Sequence, residues 1–254
     1  MKHISGLIAF SALMVTSMSI SASEIRVMSG GAPKEVFAQL TPKFEQKTGN
    51  KVVFVYDVLT ALREKVAAGE KVDVLVMPVP MLEGYAKDGK LRADTQAIFG
   101  TVGTSVVVKE GAPHPDISTK EKFRETMLAA RSVVHATPGK TPSGTHMGKV
   151  MEQLGIADAM AKKVIHRPAL EGGVQLVAEG QAGLGIYPAS EVASVPGVSV
   201  VGPLPAGVDF NTLYGGAATV DGSAGTAAAE FVKFMAAPEN RNVWKHAGFD
   251  PPGS

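Results

Sequence analysis

The sequence predicts an α/β fold of two lobes, each a mainly parallel sheet flanked by helices. Short apolar segments alternate along the chain with segments whose apolar residues lie at helical spacing, the pattern of strand–helix repeats. Two links rich in glycine and proline, near Gly103 and near Gly202–Gly207, bracket a continuous middle segment. We therefore expect lobe I to comprise residues 24–103 and 208–254, and lobe II residues 104–207.

The first 23 residues have the layout of a cleavable export signal. Lys2 gives a short basic start, an apolar run follows from Leu7 to Met18, and small residues follow from Ser19 to Ser23. The apolar run is too short to span a bilayer, which distinguishes a secretory signal from an anchor. The sequence therefore predicts that residues 1–23 are removed and that the mature chain is a soluble periplasmic protein.

The first predicted strand, Ile25–Met28, runs into the turn Ser29-Gly30-Gly31, and a helix is predicted from Pro33. Proline suits the first helical turn. The apolar residues that follow at helical spacing would face a core; they are Val36, Phe37, Leu40 and Phe44. Such a turn leaves backbone N–H groups free at the positive end of a helix dipole, so it favours an anion.

The remaining elements follow from the same alternation of apolar runs and amphipathic segments. Strands are predicted at Val52–Tyr56, Val72–Met77, Thr101–Lys109, Ser132–His135, Val164–His166, Gly183–Tyr187, Val198–Val201 and Thr212–Val220. Helices are predicted at Thr60–Ala68, Met81–Asp88 and Lys120–Ala130, from the loop Thr137–Thr145 to Leu154, and at Ala224–Ala236. Gly69 would end the second helix.

Composition excludes several classes of function. Outside the signal, basic and acidic residues balance, aromatic residues make up 6% of the chain and no basic run occurs, so nucleic acid is not an expected partner. Cysteine is absent, which excludes disulfides and thiolate chemistry. The motifs of zinc hydrolases, nucleophile elbows and P-loops are absent from the sequence. We therefore expect no cofactor and no metal, assign no catalytic residue and predict a monomer.

Several motifs in order resemble the type II periplasmic solute-binding proteins of ABC importers, and within them the molybdate-binding branch. The resemblance starts at the Ser29-Gly30-Gly31 turn and covers essentially the whole mature chain. Its further motifs are Phe44–Gly49, Ala68–Val76, Pro142–Thr145, Ala182–Tyr187 and Trp244–Phe249. The resemblance implies that an oxyanion is held between the lobes by hydroxyls and by N–H groups at helix starts.

Carried over by position, the resemblance implies a ligand site with residues on both lobes. Ser29 and Ser143 would contact the ligand from opposite lobes, although each could instead only cap its helix. The full expected set from this match is Ser29, Gly30, Gly31, Thr60, Thr141, Ser143, Gly144, Thr145 and Tyr187. Because guanidinium groups pair well with carboxylates, Arg63 and Arg167 are added as candidate clamps, and Lys140 lies in the same loop as Ser143.

The ligand is predicted to be a small anion, either a molybdate-like oxyanion or a small di- or tricarboxylate. The molybdate branch has a serine-rich run where this chain has Tyr56–Thr60, with Asp57 in it, which favours the carboxylate. The predicted function is capture of that anion for the membrane subunits of an ABC importer. The alternative is isomerisation of an unsaturated tricarboxylate, because Ser29-Gly30-Gly31 and Gly202-Pro203-Leu204-Pro205 are also similar to features of aconitate isomerases.

Overall fold

A computed structural model describes residues 22–167 and 172–253. Apart from Ala22 and Ser23, the predicted signal lies outside the described residues. The ten strands of the described part are β1 (Glu24–Ser29), β2 (Lys51–Tyr56), β3 (Val74–Pro78), β4 (Ala97–Lys109), β5 (Val133–Ala136), β6 (Val164–Arg167), β7 (Leu184–Pro188), β8 (Val198–Pro203), β9 (Asn211–Ala218) and β10 (Phe249–Asp250). Within the described ranges, no helix is long and apolar enough to cross a membrane.

Helices pack on both faces of the sheet. Four of them are one or two turns long and carry little periodicity of their own. The helices are α1 (Lys34–Thr48), α2 (Leu59–Ala67), α3 (Val79–Lys87), α4 (Lys120–Ala129), α5 (Pro142–Gln153), α6 (Ala157–Met160), α7 (Gly173–Ala178), α8 (Ala189–Val192), α9 (Thr226–Met235) and α10 (Arg241–His246).

One continuous sheet connects the two halves of the molecule, with the strand order β2-β1-β3-β9-β4-β7-β5-β6. Pairing is parallel within β2-β1-β3 and within β6-β5-β7, as the sequence predicts. Pairing is antiparallel where β4 and β9 join these groups. The sheet is therefore mixed, because β4 and β9 cross between the lobes and need no helical connection there.

The long strand β4 changes partners in its middle. Residues up to Gly103 pair with β9, and residues from Thr104 onward pair with β7 and β8. The Thr104 N–H donates to the Phe210 carbonyl oxygen at 3.0 Å, so the two crossing strands meet at this point. A cleft floored by these strands separates the two groups of helices.

Separate apolar cores stabilise the two sides. In lobe I, one face of the sheet packs on α1, α9 and α10, where Phe37, Phe231 and Trp244 are buried together. The opposite face packs on α2 and α3. In lobe II, α4 and α5 cover one face, and α7 and α8 cover the other. Each lobe is thus a sheet between two helical layers, which is a rigid base for groups on the cleft.

The predicted positions of α1 and its neighbouring turns are confirmed. The four apolar residues predicted for its inner face are all buried. Gly49 ends the helix in the left-handed conformation with φ +76°, and its N–H donates to the Glu45 carbonyl oxygen. Gly69 has φ +80° just after α2, as its predicted role requires.

Candidate anion site in the interlobe cleft

The starts of four helices lie around one small space at the centre of the cleft, which we call the central cavity. The turn before α1 and the start of α2 contribute from lobe I, α5 and α8 contribute from lobe II, and β4 and β9 form the floor. Its volume is about 40 Å³, and its wall consists of Gly30, Gly31, Ala32, Asp57, Val58, Leu59, Val102, Thr104, Thr141, Pro142, Ser143, Pro188, Glu191, Phe210, Thr212 and Tyr214.

Backbone donors without partners occur on both sides of this cavity. Within the described part of the chain, several residues of the wall have backbone N–H groups with no hydrogen-bond acceptor, among them Gly31, Ala32, Leu59 and Ser143. Such donors precede or begin helices, where the dipole adds partial positive charge. The arrangement can therefore bind an anion through neutral groups.

The local sequence explains why the backbone N–H of Ser143 is free at the start of α5. Thr141 caps the helix, because its hydroxyl oxygen accepts the Gly144 N–H at 3.0 Å. Pro142 has no N–H, so Ser143 carries the first free donor of the helix, and the Ser143 hydroxyl lies 3.3 Å from that of Thr141. Gly144 is required here, because a Cβ would lie 2.5 Å from the Ala136 carbonyl oxygen.

Ser29, which the resemblance implies as a ligand contact, lies at the end of β1, directly before Gly30 of the cavity wall. Its side chain is fully buried, its hydroxyl donates to the Gly30 carbonyl oxygen at 2.8 Å, and it does not form part of the cavity wall. A direct contact with a ligand would require that hydrogen bond to break. The hydroxyl near this turn belongs instead to Tyr214, whose oxygen lies 3.8 Å from the position of a Cβ on Gly30.

A second space, which we call the cationic chamber, adjoins the central cavity and shares Leu59, Thr141, Pro142 and Phe210 with it. It measures about 400 Å³, and its other wall residues are Thr60, Arg63, Met81, Gly139, Lys140, Thr145, His146 and Lys149. None of the described residues in this wall is acidic. Among the described residues, Arg63, Lys140 and Lys149 form no ion pair. Four expected site residues thus meet here: Thr60, Arg63, Thr141 and Thr145.

On the opposite side lies the tyrosine chamber, of about 410 Å³, which shares Gly31 and Glu191 with the central cavity. The hydroxyls of Tyr187 and Ser190 are buried in its wall without a hydrogen-bond partner in the described ranges. Tyr187 contacts Gly173, where a Cβ would overlap its hydroxyl. Burial raises the pKa of Tyr187, and nearby Glu191 adds to this while Arg167 opposes it. Arg167 itself is exposed at the end of β6, outside the three walls.

The central cavity contains two carboxyl groups that differ in their surroundings. Asp57 accepts the Val58 N–H at 2.8 Å and lies 4.0 Å from the Lys65 ammonium nitrogen. The carboxyl group of Glu191 forms no hydrogen bond or ion pair with any described residue. Burial raises the pKa of Glu191 to about 7. Sequence reasoning missed Glu191, and its only signal was an acid four residues after Tyr187, just beyond a strand end.

The pKa of Glu191 has a consequence for stability. Its pKa rises from 4.5 in an unfolded chain to about 7, so the folded protein binds the extra proton between those values. Stability from this residue is therefore full below pH 4.5 and is lost as pH rises to 7, by up to about 3 kcal/mol. We expect the free energy of unfolding in urea to fall between pH 5 and pH 8 in the wild type. In Glu191→Gln this contribution to the fall should be missing. Identical pH dependence of the two proteins would contradict it.

Comparisons with known proteins agree with this architecture. The family described as bacterial extracellular solute-binding protein matches residues 25–250, and the chain belongs to that family. Its two-lobed α/β fold is also that of the periplasmic molybdate-binding protein of Azotobacter vinelandii, with a TM-score of 0.73 at 17% identity, covering 90% of this chain and 99% of that one.

Two further proteins are similar over most of their length. The sulfate-binding protein SubI from Mycobacterium tuberculosis has a TM-score of 0.72 at 20% identity, covering 91% of this chain and 88% of that one. An aconitate isomerase from a Pseudomonas species is 26% identical, over 96% of this chain and 95% of the relative. The fold is thus similar to those of a molybdate-binding and a sulfate-binding protein, and the sequence is similar to that of an aconitate isomerase.

Proposed function

We propose that this chain is an exported receptor that captures a small polycarboxylate between its lobes and delivers it to the membrane subunits of an ABC importer. The observation that carries the proposal is the set of unpaired N–H donors from both lobes on the central cavity. Binding across the cleft would favour its closed form, which the importer would recognise.

The dimensions of the cleft favour a carboxylate over a tetraoxyanion. One water molecule needs roughly 10–15 Å³ of cavity volume. The central cavity, at about 40 Å³, therefore has room for about three groups of that size, which is the size of one carboxylate group. The adjoining cationic chamber offers Arg63 and Lys140 for a second carboxylate of the same ligand. A compact tetraoxyanion at the centre would leave these cations unused.

A thermal-shift panel tests this proposal, because only true ligands stabilise the folded state by mass action. Citrate and both aconitates are expected to raise the unfolding temperature, with molybdate, tungstate and sulfate giving smaller shifts. Stabilisation by molybdate alone would contradict the carboxylate assignment.

A second candidate is isomerisation of an unsaturated tricarboxylate, and Glu191 is the observation that favours it. An unpaired carboxyl group with a pKa of about 7 is suited to accept an allylic proton and return it at another carbon. The full-length similarity to an aconitate isomerase supports the same candidate. Proton NMR of trans-aconitate incubated with the protein distinguishes the two: formation of cis-aconitate indicates the enzyme, and an unchanged spectrum with measurable binding indicates the receptor.

A further inference from the structure

Glu191 is one of two acidic residues in the wall of the central cavity, where a negative charge conflicts with an anionic ligand. It lies on α8 in the wall shared by the central cavity and the tyrosine chamber. Among the described residues, no cationic side chain belongs to the wall of the central cavity. An anion held by the N–H groups there would share a small, poorly hydrated space with this carboxyl group. Two like charges in such a space disfavour each other strongly, so one of them must be neutralised.

The groups around Glu191 do not provide that neutralisation in the free protein. Tyr187 on β7 and Tyr214 on β9 are close enough for its charge to raise their pKa values, and both lie on the sheet. Asp57 faces the central cavity from the start of α2, and Lys34 and Glu35 of α1 face the tyrosine chamber. The positive charge of Arg167, at the end of β6, lowers the pKa of Tyr187 and so opposes the effect of Glu191. Neither Lys34 nor Arg167 forms an ion pair with Glu191.

Asp57 also belongs to the cavity wall, but its carboxylate has partners there. Its carboxylate accepts a backbone N–H at the start of α2 and lies near Lys65, so its negative charge is already compensated. Glu191 has no such partner in the described chain.

We propose that ligand capture is coupled to the uptake of one proton by Glu191, which as a neutral acid then donates a hydrogen bond to the bound carboxylate. This inference rests on the proposed function, and it specifies how the site accommodates a multiply charged anion beside an acidic residue. The tyrosine chamber reaches the same side chain from the other side, so the proton can arrive while the central cavity is occupied.

The pKa of Glu191, about 7, agrees with this coupling. At pH 8 the free protein holds a proton on roughly a tenth of its Glu191 side chains, so binding can take up close to one proton. Above pH 7 the affinity of the wild type should fall by up to about tenfold per pH unit, since each binding event then requires a scarcer proton.

Calorimetric titration of citrate at pH 8, repeated in phosphate and in Tris buffer, measures the number of protons taken up from the difference in heat. We expect about one proton for the wild type and none for Glu191→Gln, which keeps an N–H donor at the same place and should bind citrate at pH 8 at least as tightly. Asp57→Asn is the matched control, and it should retain the uptake whatever its affinity.

The outcomes separate this inference from the function on which it rests. Binding without proton uptake in the wild type would overturn the coupling and leave the receptor intact. Uptake that persists in Glu191→Gln would place the proton on the ligand or another group and overturn it too. Absence of binding by any polycarboxylate in both proteins would overturn the proposed function itself.

Discussion

Replacing Gly144 with alanine is expected to destabilise the protein and to weaken anion binding together. The new Cβ would lie 2.5 Å from the Ala136 carbonyl oxygen and 2.7 Å from that of Thr137, and both are backbone atoms that cannot rotate away. Relief requires α5 to move from the end of β5, at a cost on the order of 1–3 kcal/mol. Because α5 carries Ser143 into the central cavity, the same movement displaces a donor.

Gly148→Ala provides the matched control in the same helix. The nearest atom to its added Cβ is Cγ of Pro138 at 4.0 Å, so no neighbour must move. Alanine is favoured over glycine inside a helix by roughly 0.8–1 kcal/mol, so this variant should be as stable as the wild type or more so. Urea unfolding and citrate titration of both variants test the prediction. Wild-type stability and affinity in Gly144→Ala would show that the contact at the start of α5 does not matter.

Removing a cation from the cationic chamber is expected to reduce polycarboxylate affinity strongly. Arg63→Met keeps much of the side-chain bulk but removes the planar fork that pairs with two carboxylate oxygens. Loss of charged hydrogen bonds of this kind costs about 2–3 kcal/mol, or roughly 30- to 150-fold in the dissociation constant. Lys140→Met should have a smaller effect in the same direction, since an ammonium group forms a less directional contact.

Two other substitutions make this result specific. Lys43→Met removes one positive charge from the exposed side of α1 and should leave affinity unchanged. Arg167→Met removes the other guanidinium predicted from the sequence, which lies outside the chamber walls and should matter less than Arg63. Equal citrate affinity in the wild type and in Arg63→Met would mean that the ligand does not reach the cationic chamber.

The fold could be predicted from the sequence where a helix or strand is long enough to show a regular spacing of apolar residues. The buried face of α1 and the parallel strands around it follow from apolar spacing and from glycines at the turns. The strand β4 was expected to begin at Thr101 but begins at Ala97, because Gly100 obscures the alternation. Its exchange of partners at Thr104 depends on tertiary pairing, which no local pattern encodes.

The sequence predicted which helix starts form the candidate site, but it predicted less well which side chains face the cavity. Free N–H donors at Gly31 and Ser143 follow from a turn or a proline before a helix, and the structure places both on one cavity. The direction of a hydroxyl is set by its neighbours, so the sequence could not show that Ser29 donates to the Gly30 carbonyl oxygen. Glu191 was missed because α8 has four residues, too few for any periodicity.

The most direct test of polycarboxylate capture is calorimetric titration of the mature protein with citrate and, separately, with molybdate, at pH 6.5, where Glu191 readily holds its proton. We predict saturable binding of one citrate per chain and a much smaller or undetectable heat with molybdate. Saturable one-to-one binding of molybdate, with no heat from citrate or from either aconitate, would contradict the assignment of the cleft to a polycarboxylate.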